Sequence, residues 1–224
     1  MTMKVSIIIP VLNEASGIEQ MLTALLALKL PAEVIVVDGG SDDGTIKQAQ
    51  LPSVLVIEAP RGRARQMNAG AAVAQADYLL FLHADTRLPE STTQQLERVF
   101  KKQAAWGRFD VRVSGQAKML AVVAHLMNWR SRLSGIATGD QAIFVKRELF
   151  EVLNGFADQP LMEDIELSKR LLAHARPLCL KGPALTSGRR WEQHGVWSTI
   201  TLMWWLRWRY WRGESAEKLA KDYS

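Results

Sequence analysis

Two acidic stretches place reactive groups at spacings that could do chemistry. In "DYLLFLHADT" (residues 77–86) an apolar run, Tyr78 to Leu82, ends on His83 and Asp85; in "LMEDIEL" (161–167) Glu163 and Asp164 stand side by side at the head of a helical pattern. A carboxylate at a strand end can hold a divalent cation that bridges a diphosphate and offsets the charge developing as it leaves. An imidazole beside it makes a poorer hard-cation site than a second carboxylate, so manganese stands with magnesium as the candidate ion. The bland alternative for His83 is a structural hydrogen bond. Acids at a helix start are stabilised by the helix dipole, which accounts for Glu163 and Asp164 without any function. The functional reading has one of them take a proton from an attacking hydroxyl as general base. His125, His174 and His194 sit singly and form no ligand pattern.

The elements that must position these groups are legible as four short β-rich runs, "KVSIIIPV", "EVIVVDGG", "SVLVIEAP" and "DYLLFLHAD", separated by helical or turn-rich segments. Such runs fit strands covered on both faces, hence an α/β fold with a mostly parallel central sheet flanked by helices. Ser16 and Glu19 have the spacing of a capping box ahead of a helix carrying Ile18, Leu22, Leu25 and Leu26. Arg63–Gln75 and "PESTTQQLERVFKKQ" are two further helices. Each strand ends in a polar cluster: "PVLNE", "DGGSDDGT", "APRGRARQMNAG" and "HADT". Ligands of open parallel sheets bind outside the carboxyl ends of the strands, so the four clusters should converge on one crevice. Asp38 could accept hydrogen bonds from ribose hydroxyls or a base, and Arg61, Arg63 and Arg65 could meet phosphate oxygens, the alternative for the arginines being a solvated helix start. There is no G-x-x-x-x-G-K-[ST] and no G-x-G-x-x-G after the first strand, which sets aside P-loop hydrolases and standard dinucleotide dehydrogenases.

The second half loses the regular alternation: "WGRFDVRVSG" is a strand, "QAKMLAVVAHLMNWRSRL" a helix, "QAIFVKRELFEVLNGF" a strand then a helix, and "LMEDIELSKRLLAHA" a helix. Six of eight tryptophans fall within 191–211. Trp197, Trp204, Trp208 and Trp211 share one helical face flanked by Arg207, Arg209 and Arg212, which suits a membrane surface or a docked helix or second subunit, through 191–212. Nucleic acid is ranked last as a partner, since stacking modes of that kind occupy a groove of a sheet. The chain has 224 residues, one cysteine (Cys179) and a net charge of +5. These imply one domain, residues 1–190 (a nucleotide half, 1–103, and an acceptor half, 104–190), with a tail at 191–224, no disulfide framework and an anionic partner. The N-terminal stretch lacks the character of a signal peptide, so the expected location is cytoplasmic, peripheral on the inner membrane face if the tail meets lipid.

"SIIIPVLNE", "VIVVDGGSDDGT", "RQMNAGAAVAQADYLLFLHADT", "GDQAIFVKRELFEVLNGF" and "LMEDIEL" follow one another over roughly residues 4–170. In that order they resemble the GT-A-fold, inverting glycosyltransferases of family two. The His-Ala-Asp variant and short chain most resemble a small bacterial subgroup associated with radical-SAM and selenium-related gene neighbourhoods. The resemblance implies a GT-A (Rossmann-like nucleotide-diphospho-sugar transferase) fold and a nucleotide-diphosphate-sugar donor across the strand ends. It places Pro10, Asn13, Glu14 and Asp38 at the base and ribose, with Ser41 nearby and Asn68 on the same donor side. Asp85 takes the place of the last carboxylate of the family's D-x-D metal motif, and Asp164 that of the general base, with Glu163 beside it. Gly139, Asp140 and Gln141 fall on the acceptor side, as do Arg190 and Trp191, where "SGRRW" partly matches a Q-x-x-R-W element. Two departures matter. His83 replaces the first carboxylate, which leaves the metal open, and the partial Q-x-x-R-W argues for a single sugar transfer over polymer synthesis, with the acceptor, a lipid or small molecule, left open. The rivals are a sugar nucleotidyltransferase, which would open with a Gly-rich basic loop where "PVLNEASG" stands, and a non-catalytic nucleotide-sugar-binding protein, against which the acids at 38, 85 and 164 speak.

Overall fold

Uninterrupted β-branched runs make stable strands only where both faces are covered, and that is how this chain begins. The computed structural model describes residues 4–117 and 119–223; the side chains of Arg190 and His194 lie outside the described set. In chain order β1 (Val5–Val11), α1 (Ile18–Ala27), β2 (Ala32–Asp38), α2 (Thr45–Ala49), β3 (Val54–Glu58), α3 (Arg63–Val73) and β4 (Tyr78–Phe81) alternate. There follow β5 (Thr86–Arg87), α4 (Thr92–Lys101), β6 (Trp106–Val113), α5 (Met119–Ser134), β7 (Ile143–Lys146), α6 (Arg147–Val152), α7 (Glu163–His174), β8 (Leu178–Thr186), α8 (Arg189–His194), α9 (Val196–Trp211) and α10 (Ala216–Tyr223).

The eight strands form one sheet in the order β3-β2-β1-β4-β7-β6-β8-β5. The first four are parallel throughout, β7 runs antiparallel to β4 and β6, β8 is parallel to β6, and β5 antiparallel to β8. This is the GT-A-like arrangement, and its antiparallel pairs belong to the half whose sequence loses alternation. Successive residues of β1 serve opposite faces. Ile7 and Ile9 pack with Ile18, Met21 and Leu22 of α1, and Ile8 packs with Ala64, Met67 and Ala71 of α3. Each fully buried Ile contributes about 1.5–3 kcal/mol. α3 can approach so closely because it carries Gly70: a β-carbon there would lie 2.5 Å from Ile8 Cγ2.

One expectation changes. The capping box at Ser16 and Glu19 is not formed: Gly17 is the N-cap of α1 and no side chain caps it. The chain leaving β1 closes a turn instead, with the Gly17 and Ile18 N–H groups both donating to Glu14 O at 3.0 Å, so Ser16 falls one residue too early. β8 is the strand the sequence hides. Its Gly182 and Pro183 read as a break, and they fall in the irregular stretch between Leu180 and Ala184 where the pairing with β6 shifts register.

The second half is tied down by polar contacts as much as apolar ones. Arg108 is wholly buried; its guanidinium donates to Ser131 Oγ and Asn128 O, 3.1 Å each, and pairs with Asp110. Asn128 in turn exchanges hydrogen bonds with the backbone of Val111, so α5 is pinned along β6. At the far end Leu206 of α9 and Leu219 of α10 form a small core with Leu161, Met162 and Ile165.

Candidate active site

The loops after β1 and β2 are laced into one unit. Asn13 N–H donates to Ser41 Oγ (2.9 Å) and Asn13 Oδ1 accepts from Asp42 N–H (3.1 Å). Glu14 N–H donates to Thr45 Oγ1 (2.8 Å) and Ala15 N–H to Asp43 Oδ2 (3.0 Å). Asp38 is fully buried and organises its own turn, accepting from Gly40 N–H (2.7 Å), Ser41 N–H (2.8 Å) and the Ser41 hydroxyl. Pro10 is half-buried near the end of β1. Beneath the loops the buried Gln66 amide donates to both Val11 O and Val37 O at 2.8 Å, joining the two strand ends where their ladder stops.

The 3-10 turn Gly139–Gln141 meets the start of α7. Gly139 N–H donates to Asp164 Oδ2 and Ile165 N–H to Asp164 Oδ1, both at 2.7 Å. Burial pushes the Asp164 carboxyl up from 3.8 to about 6, and the Glu163 charge adds to this; the two N–H donors and Arg63 pull the other way without cancelling it. A carboxylate held at that value can accept a proton near neutral pH. His83 lies on the other side of Gly139, so close that a β-carbon there would sit 2.3 Å from its Nε2. Its Nδ1 is 3.5 Å from Asp140 Oδ1. Asp140 is held below the usual carboxylate range: burial raises it, but the hydrogen bond and charge of His83 and the charge of Arg63 outweigh that. His83, Gly139, Glu163 and Asp164 line one recess with Met67, Phe81, Ile143 and Phe156. Two non-glycine residues with positive φ, Ala142 (44°) and Met162 (65°), bracket this region, the kind of backbone outlier that a packed surround must hold in place.

The arginines divide. Arg63 reaches across the cleft to Glu163, Nη1 to Oε1 3.5 Å, and Glu163 is almost wholly buried. Burial would lower the Arg63 pKa, but Glu163, Tyr223, Asp140 and Asp164 together raise it. Arg61 is exposed beside it. Arg65 is paired with Asp158 at 2.8 Å, and Asn68 braces the same loop, donating to Phe156 O and accepting from Phe156 N–H at 2.9 Å. These two therefore serve the segment leading into α7. Gln141 is buried and closes its own turn, accepting from Thr138 N–H at 3.2 Å. Trp191 packs against Val113, Leu120 and Ala124, away from Asp164's recess, and the Arg190 side chain lies outside the described residues.

Asp85 is exposed. Burial raises the Glu14 carboxyl, and so do the charges of Asp85 and Asp43, against Arg189, so Asp85 and Glu14 share a negative corner. Among the described residues no three His, Cys, Asp or Glu side chains gather to hold a metal ion. A hard cation that keeps several oxygen ligands from water or a diphosphate needs only one or two carboxylates, and Asp85 fits that role. His83 is turned toward Asp140 and Gly139.

Four residues that matter here carry no signal in a linear reading. Gln66 looks like one polar residue of an Ala-rich helix, and Arg108 like one charge in a strand. Arg189 becomes relevant only because α8 brings its charge to bear on Glu14. Arg130 on α5 has two buried guanidinium nitrogens, Nε and Nη2, without a hydrogen-bond partner. Its pKa is lowered by burial, with the charge of Asp164 opposing.

Comparison with known proteins bears on the family and the fold. The chain is 25% identical over 222 residues to the poly-beta-1,6-N-acetyl-D-glucosamine synthase of Staphylococcus epidermidis, covering 87% of this chain and 53% of that protein. It is 27% identical over 216 residues to that of Staphylococcus aureus (strain COL), covering 83% and 52%. The chain thus spans about half the length of these curated relatives. Among solved structures, S. aureus TarS 1–349 in complex with UDP-GlcNAc superposes with a TM-score of 0.67 at 18% identity, covering 83% of this chain and 58% of that one. Mannosyltransferase PcManGT from Pyrobaculum calidifontis, in complex with GDP-Man and Mn2+, gives 0.63 at 21%, covering 82% and 56%. At such identities the superpositions speak for the fold. The family model described as "Glycosyl transferase family 2" matches residues 6–148, which run from β1 to the start of α6 and take in the laced loops, Asp85 and Gly139: this chain belongs to glycosyl transferase family 2.

Proposed function

We propose that the chain transfers a single sugar from a nucleoside-diphosphate sugar to an acceptor hydroxyl with inversion. The observation that carries this reading is Asp164, fixed by two backbone N–H donors at the cleft and raised to about 6. Its carboxylate takes the proton of the acceptor hydroxyl as that oxygen attacks the anomeric carbon. The bond from the anomeric carbon to the diphosphate breaks on the opposite face, and the electron pair leaves with the nucleoside diphosphate. A divalent cation, manganese or magnesium, at Asp85 would neutralise charge on that leaving group. Arg63 holds Glu163, and the loops after β1 and β2 receive the nucleoside. The relatives' names and the nucleotide sugars bound in the two superposed structures support this donor class. A single transfer rests on the partial Q-x-x-R-W; the acceptor is a small molecule or lipid that this element does not choose between. Residues 191–224 act as a tail to a catalytic domain of 1–190, on the cytoplasmic side of a membrane.

The test is thermal stabilisation by UDP-, GDP- and dTDP-linked sugars with and without manganese, followed by turnover of Asp164→Asn. A donor that binds the native state raises the melting temperature by linkage, about 2.7 kcal/mol of stabilisation at a hundredfold excess over Kd. Asp164→Asn should keep that shift and lose most turnover. Loss of both together would remove the base assignment, and a donor shift without any transfer would favour a binding protein.

A further inference from the structure

Neither α5 nor α9 contains an Asp or Glu, and between them they carry Arg130, Arg132, Arg207 and Arg209. Each helix also shows two apolar faces. On α5, Leu120, Val123 and Ala124 are buried while Val122, Leu126, Trp129 and Leu133 stand exposed at helical spacing. On α9, Leu206 is buried while Trp197, Trp204, Trp205, Trp208 and Trp211 are 48–75% exposed. The two helices share neighbours at both ends. Val196, at the start of α9, packs with Leu120 and Ala124 near the start of α5. Leu202 and Leu206 pack in one cluster with Ile136, just past its end. They therefore approach one another near their ends, and both leave an apolar stripe uncovered. Only the α9 stripe is foreshadowed by the tryptophan spacing.

We propose that this flank docks the protein on an anionic lipid bilayer, with α5 and α9 lying in the headgroup layer. No helix among the described residues is long and apolar enough to cross a membrane, and Trp with Arg on an apolar face is the composition of a helix that lies along one. The charges favour lipid over a second copy of the chain. Arg132 is paired with Asp110, and Arg209 with Glu214 and Asp222. Arg207 has a buried Nε without a partner, and Arg212 lies over the Trp208 ring at 5.2 Å. A two-fold contact would press this arginine-bearing face against itself, with only the already paired Asp110, Glu214 and Asp222 to offset it. Lipid phosphates would meet the exposed Arg212 guanidinium. The inward side of α9 packs on Leu161, Met162 and Ile165, next to Glu163 and Asp164, so docking would bring the cleft near the bilayer.

Co-sedimentation of the full chain with vesicles tests this directly, using phosphatidylcholine alone and phosphatidylcholine mixed with phosphatidylglycerol. Binding should be strong to the mixed vesicles, fall as salt screens the headgroups, and shift tryptophan emission to the blue. Trp204→Ser with Trp208→Ser should weaken partitioning by roughly tenfold or more, since each ring removes a large apolar area from water. Arg207→Gln with Arg212→Gln should weaken it on the mixed vesicles alone. Circular dichroism and melting establish that the variants fold. No binding to mixed vesicles, or binding indifferent to the Trp substitutions, overturns the proposal. So does a dimer, seen by ultracentrifugation, that the Trp pair dissolves while vesicles are ignored. The donor-induced melting shift, measured on the same preparations, reports on the transfer reading independently.

Discussion

At the residue scale the molecule turns on Gly139, whose backbone faces Asp164 and whose missing side chain admits His83. Gly139→Ala places a β-carbon 2.3 Å from the imidazole, so the ring must swing off Asp140. The ring is mostly buried, so moving it should cost about 1–3 kcal/mol of stability. Activity should fall by about tenfold or more because the reacting groups lose their registration; kcat/KM and melting temperature together check the split. The Asp164 value sets the pH behaviour. As the proposed base it must be ionised, so kcat/KM should drop as pH falls through about 6, a limb that Asp164→Asn should abolish. Stability moves the opposite way. The folded-state value lies above the ordinary 3.8, so this group favours the folded state below pH 3.8 and loses that contribution as pH rises to about 6. Urea titrations across that interval would show the slope in the wild type and its absence in Asp164→Asn. The sequence presents Asp164 and His83 as candidates because carboxylates and imidazoles announce their chemistry. It does not show that a glycine stands between them, since a 25-residue separation along the chain hides the contact.

At the scale of elements, helix α3 is where local preference and packing disagree. An alanine in a helix interior is worth about 1 kcal/mol over glycine. At Gly70, however, the new methyl would meet Ile8 and Val37, at 2.5 and 3.0 Å, inside a fully buried layer, and overpacking of that kind costs about 1–3 kcal/mol. Packing wins, so Gly70→Ala should lower the melting temperature by several degrees, about 2–4 °C per kcal/mol for a chain of this size. The first-half strands were readable because burial on both faces forces an apolar run. β8 was not, because its regularity is broken at Gly182 and Pro183, and only its neighbour β6 reveals that the break coincides with a change of register. The α1 start shows the same limit: Ser16 and Glu19 have the spacing of a cap, yet the turn closed on Glu14 moves the helix one residue on.

For the whole molecule, the contact between α9 and the segment at the start of α7 is the long-range feature. Leu206 fills the space between α9 and the Leu161–Ile165 segment, next to the strained Met162. Leu206→Ala should cost about 2–5 kcal/mol locally. It should also reduce turnover, because Met162 is the residue from which Glu163 and Asp164 start; hydrogen exchange at 161–167 should rise in step. The tryptophan spacing of α9 made its outward face visible in advance. The stripe on α5 was not, since Val122, Leu126, Trp129 and Leu133 read as core until the fold leaves them exposed.

The crossed hydrogen bonds between 13–15 and 41–45, set over Gln66, have a consequence for anyone exchanging parts among members of this family. A loop grafted alone would arrive with donors whose acceptors stayed behind in the other parent. The two segments, with the glutamine under them, form one heritable module and should be swapped together.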